Sequence, residues 1–91
     1  MNITIFTQNK ENLLKPNLIG YAYDQDTKMH FIVGTCSDNT FEQNLNIGNY
    51  ATRERCVEII TEIKELENKI HRDKLSGVFN GFYPVFEMPD A

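Results

Sequence analysis

A change in the spacing of apolar residues, a little past the middle of the chain, most strongly limits what this sequence can fold into. From residue 56 onward the apolar side chains recur every three or four residues, at Cys56, Ile59, Ile60, Ile63, Leu66 and Ile70. This spacing places them along one stripe of an α-helix. Thr52 can cap the first free amides, and Gly77 can end the helix. The pattern therefore predicts one amphipathic helix over about 52–74, roughly 33 Å long at 1.5 Å per residue.

The apolar residues before the helix alternate with polar ones instead, which is typical of β-strands. The alternating segments are residues 2–7, 18–23, 28–35 and 41–47. Short polar turns at 24–27 and 36–40 join the last three segments, so an antiparallel meander is predicted. Residues 8–17 are polar and are predicted to be a loop.

The tail of the chain adds a last predicted strand at 82–87. Pro84 cannot donate a ladder hydrogen bond, so an edge position is expected. A meander of about four strands, one long helix and a C-terminal strand together predict an α+β fold, with the helix packed on one sheet face. Alternation also predicts that Met29, Phe31 and Val33 face the core.

Length and composition are those of one globular domain spanning residues 1–91. The chain is 41% hydrophobic and 24% charged, which suits a single modest core. Thirteen acidic residues outnumber nine basic ones, and the basic ones form no cluster, so nucleic-acid binding is not expected. The sequence shows neither a signal peptide nor a membrane span, which favours a cytoplasmic protein. Cys36 and Cys56 are then expected to be reduced.

The predicted helix start is the strongest candidate for a binding site. Free backbone amides and the helix dipole attract anions there, and Thr52, Arg53 and Arg55 add a hydroxyl and two guanidinium groups. These residues could bind a phosphate, a nucleotide or a partner's carboxylate. The alternative is structural: Arg55 would pair with an acid of the same chain, such as Glu58 or Glu87, and Arg53 would be solvated. The sequence leaves both open.

No pattern of catalytic or metal-binding residues is present. The possible soft metal ligands lack the short spacing of a zinc site; they are His30, His71, Cys36 and Cys56. The chain also has no P-loop, no Gly-x-Ser-x-Gly turn and no dinucleotide fingerprint. We therefore expect no metal, no cofactor and no enzymatic activity.

Aromatic residues are numerous for so small a chain, with six Phe and four Tyr. If the helix covers only one face of the sheet, some of Tyr21, Tyr23 and Phe86 are expected on the other face, as part of an interface. A homodimer is then expected, and edge-strand pairing near Pro84 is one route to it.

Two segments of the chain resemble a recurring pattern. The segment from Gly48 to Ile63 is similar to G-x-Y-x-T-x-E-R-A-x-E-[VI]-[LI]-x-E-I, and the tail to a [VI]-[YF]-E-M-P ending, of small uncharacterised proteins from phages and prophages of Gram-positive bacteria. Cys56 stands where that pattern has alanine. With the leading strands, the resemblance covers most of the chain. It implies a phage or prophage origin and carries no assigned activity.

Two functional hypotheses follow from these features. The first is a non-enzymatic phage-type protein that binds a host or phage protein. The second is a binding module, or sponge, for an anionic small molecule held at the helix start. The sequence does not separate them.

Overall fold

The α+β class predicted from the sequence is confirmed by the computed structural model, which describes residues 3–37 and 42–91. The elements in chain order are β1 (Thr4–Phe6), β2 (Leu13–Leu14), β3 (Leu18–Asp24), β4 (Met29–Ser37), β5 (Glu42–Tyr50), α1 (Arg53–Ser76) and β6 (Val85–Glu87). Residue 2, Phe41 and most of the predicted turn at 36–40 lie outside the described residues.

The strands form two three-stranded sheets. One is the predicted antiparallel meander, in the order β3-β4-β5, and the other has the order β2-β1-β6. The first predicted strand therefore leaves the meander: β1 pairs antiparallel with β2, which lies inside the predicted loop, and parallel with β6. Alternation identifies a strand but does not identify its partner, which is why this second sheet was not predicted. β6 is an edge strand, and the Pro84 carbonyl accepts the Thr4 N–H at 3.2 Å.

The helix begins and ends with the caps that the sequence predicts. The Thr52 hydroxyl oxygen accepts the Arg55 N–H, and Gly77 adopts a left-handed conformation with φ 79°. The Gly77 N–H is donated to the carbonyls of Asp73 and Lys74, which satisfies groups that the helix end leaves free. Within the described residues, no helix combines the length and the apolar character needed to cross a membrane.

One core lies between α1 and the two sheets. Its buried hydrophobic residues come from every layer: Ile3, Ile5, Ile32, Ile47, Tyr50, Cys56, Ile59, Ile63, Ile70 and Met88. In β4 the core residue is Ile32, which is fully buried, so the expectation that Phe31 and Val33 meet the helix is wrong. Both of these are half-buried, and Met29 is 40% exposed. Both faces of β4 carry apolar side chains, so alternation does not reveal which face the helix covers.

Gln8 joins the two sheets to the tail of the chain. Its backbone N–H is donated to the Ile47 carbonyl, and its side-chain amide bonds to both the N–H and the carbonyl of Asn49. The same amide group donates to the carbonyls of Pro89 and Asp90. Because the Gln8 side chain forms hydrogen bonds with both β5 and the tail, the position of the tail depends on the position of β5.

A close contact within β5 fixes where Gly48 and Tyr50 can lie. The two residues are two positions apart in the strand and share one of its faces. A Cβ at Gly48 would come within 2.7 Å of Cε2 and of the hydroxyl oxygen of Tyr50. The Tyr50 ring, only 2% exposed, therefore occupies the space that any other residue at position 48 would need.

We expect Gly48→Ala to lower the free energy of unfolding by about 1–3 kcal/mol, because the ring has to move from a packed site. Gly20→Ala is the matched control, since nothing lies within 4 Å of a Cβ there. The control should change stability by less than about 0.5 kcal/mol. Urea unfolding of both variants measures the difference, and equal losses would contradict the contact.

Candidate functional site

The three residues predicted to bind an anion lie at the start of α1, where the structure gives each a different environment. The Thr52 hydroxyl oxygen lies 3.1 Å from the Arg55 backbone nitrogen and accepts its N–H. That bond supplies one of the partners that the first turn of a helix lacks. The Thr52 side chain therefore acts as the helix cap.

Arg55 faces the tail of the chain. Its Nε donates to the Ala91 carbonyl at 3.2 Å, and its Nη1 lies 3.8 Å from a carboxylate oxygen of Glu58. Glu87, the other acid considered for Arg55, forms an ion pair with Lys10 instead. Arg55 thus has intrachain partners on two sides.

Arg53 lies over a small aromatic cluster. Its guanidinium carbon is 5.7 Å from the centre of the Tyr21 ring, a cation–π distance. The Tyr21 hydroxyl and the His30 Nδ1 are 2.7 Å apart and share a hydrogen bond, and the Tyr23 and His30 ring centres are 4.8 Å apart. Sequence reasoning missed this cluster, because it placed His30 on the face of β4 away from the core. The register of β3 against β4, which pairs Tyr23 with His30, is the information that was needed.

The residues predicted as a possible interface do not share one surface. Tyr21 lies opposite the buried Ile32 and is therefore on the helix-facing side of β3, and Tyr23 lies on the same side. Phe86 belongs to the other sheet, where it lies opposite Ile5 and packs against the core. The uncovered face of the meander carries other residues.

That uncovered face is apolar along β3 and β4. We define the outer patch as Leu18, Ala22, Met29, Phe31 and Val33, which share the face opposite Ile32. Leu18 is 67% exposed, and no atom comes within 4 Å of a Cβ built at Gly20, in the same face. Of the other patch residues, Met29 is exposed, and Ala22, Phe31 and Val33 are half-buried.

Asparagines border the outer patch along β5. Asn44, Asn46 and Asn49 lie opposite Thr35, Val33 and Phe31. Two of them share a hydrogen bond, in which the Asn46 amide nitrogen donates to the Asn49 side-chain oxygen at 2.9 Å. The charged residues of this face, Asp24 and Glu42, lie at its ends. The face is therefore an apolar centre with an uncharged, hydrogen-bonding border.

The cysteines and histidines do not come together. Cys36 is half-buried and Cys56 is buried, and both are free thiols. Burial raises the pKa of the Cys56 thiol, which disfavours the reactive thiolate. Among the described residues, no three His, Cys, Asp or Glu side chains are grouped as a metal site requires.

The Tyr50 side chain, at the end of β5 and just before the helix, forms a hydrogen bond with the tail. Its hydroxyl donates to the Pro89 carbonyl at 2.8 Å, next to the Gln8 amide that donates to the same carbonyl. Burial raises the pKa of Tyr50 from 10.0 to about 12. Since the folded chain keeps this hydroxyl protonated, the hydrogen bond to Pro89 persists well above neutral pH.

We expect Tyr50→Phe to cost about 1 kcal/mol near neutral pH, because the Pro89 carbonyl loses its tyrosine donor. Between pH 10 and about 12 the unfolded tyrosine ionises while the folded one does not, so the free energy of unfolding of the natural chain falls as pH rises. The natural chain should therefore lose its higher free energy of unfolding, relative to Tyr50→Phe, as the pH rises from 10 to about 12. Urea unfolding at several pH values measures it, and a constant advantage would contradict the pKa.

Comparison with known proteins was made at the level of families, of curated sequences and of solved structures. No family model, no curated protein and no solved structure matches this chain significantly. What the chain does is therefore inferred from its own residues and their contacts.

Proposed function

We propose that this chain is a small non-enzymatic protein of phage or prophage type, acting in the cytoplasm by binding another protein through the outer patch. One observation carries the proposal: the meander has a helix on one face only, and the other face is apolar at its centre. An exposed apolar patch with a polar border is typical of protein interaction sites.

The chemistry of the patch describes the partner that would fit it. Met29, Phe31 and Val33 offer apolar contact area, and the asparagines of β5 can both donate and accept hydrogen bonds. With charges only at the ends of the face, a strongly charged partner would gain little here. A host or phage protein with a flat, apolar and mainly uncharged surface is the complementary partner.

Of the two arginines in the anion-binding alternative, Arg53 forms no ion pair within the described residues. The Thr52 hydroxyl oxygen already caps the helix, and Arg55 is bonded to the tail and to Glu58. Arg53 is exposed and lies over Tyr21, so it is the group that an anion would reach. A lone exposed guanidinium is a weaker basis for function than an uncovered sheet face, which is why protein binding is preferred.

The patch is tested by replacing two of its residues on β4. Met29→Lys with Val33→Lys should weaken capture of a partner from a Gram-positive bacterial lysate by at least about tenfold, because two ammonium groups would have to be desolvated. The control is Leu75→Lys with Val78→Lys, two exposed apolar residues in the last turn of the helix and just after it. Capture is quantified by mass spectrometry, after thermal unfolding has shown that the two double variants have similar melting temperatures. Equal capture by the two double variants would contradict the proposal.

The anion alternative is tested by thermal unfolding with phosphate and a panel of nucleotides. A ligand that binds only the folded chain has to raise the melting temperature. We expect the ligands to raise the melting temperature of the natural chain no more than that of Arg53→Gln. A rise of several degrees that Arg53→Gln abolishes would instead support the sponge.

A further inference from the structure

The outer edge of β3 is a long, open strand edge. β3 is an edge strand of the meander and pairs with β4 on one side only, over seven residues from Leu18 to Asp24. Natural proteins protect such edges with prolines, lysines, bulges or very short strands. β3 contains no proline and no lysine, and the register shift of this sheet lies between β4 and β5. Among the described residues, no backbone hydrogen bond closes the outer side of β3.

The other strand edges are short or are interrupted by bonds to Gln8. β5 is the second edge of the meander, and Gln8 bonds to it at Ile47 and Asn49. In the other sheet, β2 has two residues and β6 has three, preceded by Pro84. Pairing through the Pro84 segment would thus add few hydrogen bonds. The edge of β3 is the one that can extend a sheet over a full strand length.

We infer that β3 pairs antiparallel with β3 of a second copy of this chain, about a two-fold axis at Tyr21. This register opposes residue 18 to residue 24 and is the one that pairs all seven residues of both strands. In this register even-numbered residues lie opposite even-numbered ones and odd-numbered residues opposite odd-numbered ones. The helix-facing sides of the two β3 strands therefore lie on the same face of the joined sheet. The result is a continuous six-stranded sheet with both helices on one face and both outer patches on the other.

Charges at the ends of β3 favour this arrangement over a parallel one. Lys15 lies before the strand, and Asp24 and Asp26 lie at and after its end. Antiparallel pairing brings the acidic end of each copy beside Lys15 of the other, whereas parallel pairing would bring like charges together. In the described residues, neither Asp forms an ion pair, and the Lys15 ammonium contacts the Tyr83 ring at 5.1 Å. Lys28, in the same turn, adjoins β4 instead.

An apolar groove beside β3 would be closed by the second copy. The groove, of about 280 Å³, lies between the strand and α1, and its apolar lining includes Ile19, Ile60 and Ile63. In this register Ile19 lies opposite Tyr23 of the other copy, so the groove of each copy faces the Tyr23 end of the other strand and pairing would remove part of its lining from water. Arg53 of each copy also approaches the axis, and the two guanidiniums oppose pairing only weakly, because both are exposed and charges in water interact weakly.

The size of the exposed surface fits a dimer. The chain exposes 6160 Å². A compact monomer of 10.6 kDa should expose about 5,500 Å². The radius of gyration of 14.0 Å likewise exceeds the roughly 12 Å of a compact domain of this length. The chain is thus more extended than an average monomer of its size, and a standard interface would bury about 800 Å² of this surface on each partner.

Charge reversal tests the register directly. In about 50 mM salt, where exposed ion pairs are least screened, sedimentation velocity should give twice the 10.6 kDa chain mass. Lys15→Glu and Asp26→Lys should each weaken the dimer at least about tenfold, since each creates like-charge contacts twice per dimer. The double variant Lys15→Glu with Asp26→Lys should restore it. Arg72→Glu, which changes the charge as much as Lys15→Glu does but lies on α1, should leave it unchanged.

Hydrogen exchange of the β3 amides provides a readout that does not depend on charge. The amides on the outer side of β3 should exchange more slowly as the protein concentration rises. The inference would be overturned if the chain stayed monomeric at several hundred micromolar. It would also be overturned if neither Lys15→Glu nor Asp26→Lys weakened the dimer. Protection of β3 only after another protein is added would also overturn it, by assigning the edge to that protein. Neither charge variant touches β4, so loss of the dimer with partner capture intact separates this inference from the proposed function.

Discussion

The packing of one helix against one side of two sheets is the interaction on which the rest of this structure depends. The stripe of α1, with Ile59 and Ile63 at its centre, meets Ile32 and Ile47 of the meander and Ile5 of the smaller sheet in one core. With a single helix in the described residues, only one face of the meander has a helix on it. The opposite face of the meander therefore stays open, and it carries Phe31 and Val33 because β4 is apolar on both sides. The proposed binding surface is a direct consequence of having one helix.

The tail is held by residues that surround the start of the helix. Tyr50 and Gln8 donate to the Pro89 carbonyl, Arg55 donates to the Ala91 carbonyl, and Met88 is fully buried. Gly48 leaves the space that the Tyr50 ring occupies. Several residues of the two patterned segments in the sequence thus lie in contact with one another. In this structure these residues cap the helix, pack in the core and hold the tail, and Arg53 is the helix-start arginine that does not bond to the tail.

The sequence predicted the elements whose signal is local, and it failed where the answer depends on distant partners. The stripe from Cys56 to Ile70 and the caps at Thr52 and Gly77 gave the helix, because spacing and capping lie within a few residues of each other. The pairing of β1 with β6 depends on residues some eighty positions apart, and no local pattern encodes it. The covered face of β4 was predicted incorrectly, because Ile32 and Phe31 are both apolar and only the position of the helix distinguishes them. The Tyr21, His30 and Arg53 cluster was missed for the same reason.

Solvent accessibility of methyl groups tests the central claim most directly. A neutral paramagnetic agent added to the methyl-labelled protein broadens the signals of methyl groups that water can reach. We expect strong broadening for Met29, intermediate broadening for Ala22 and Val33, and little for Ile32, Ile47 and Ile59, because Met29 is exposed, Ala22 and Val33 are half-buried on the same face, and the others lie in the core. Protection of Met29 and Val33 together with broadening of Ile32 would place the helix on the other face of β4 and contradict the account.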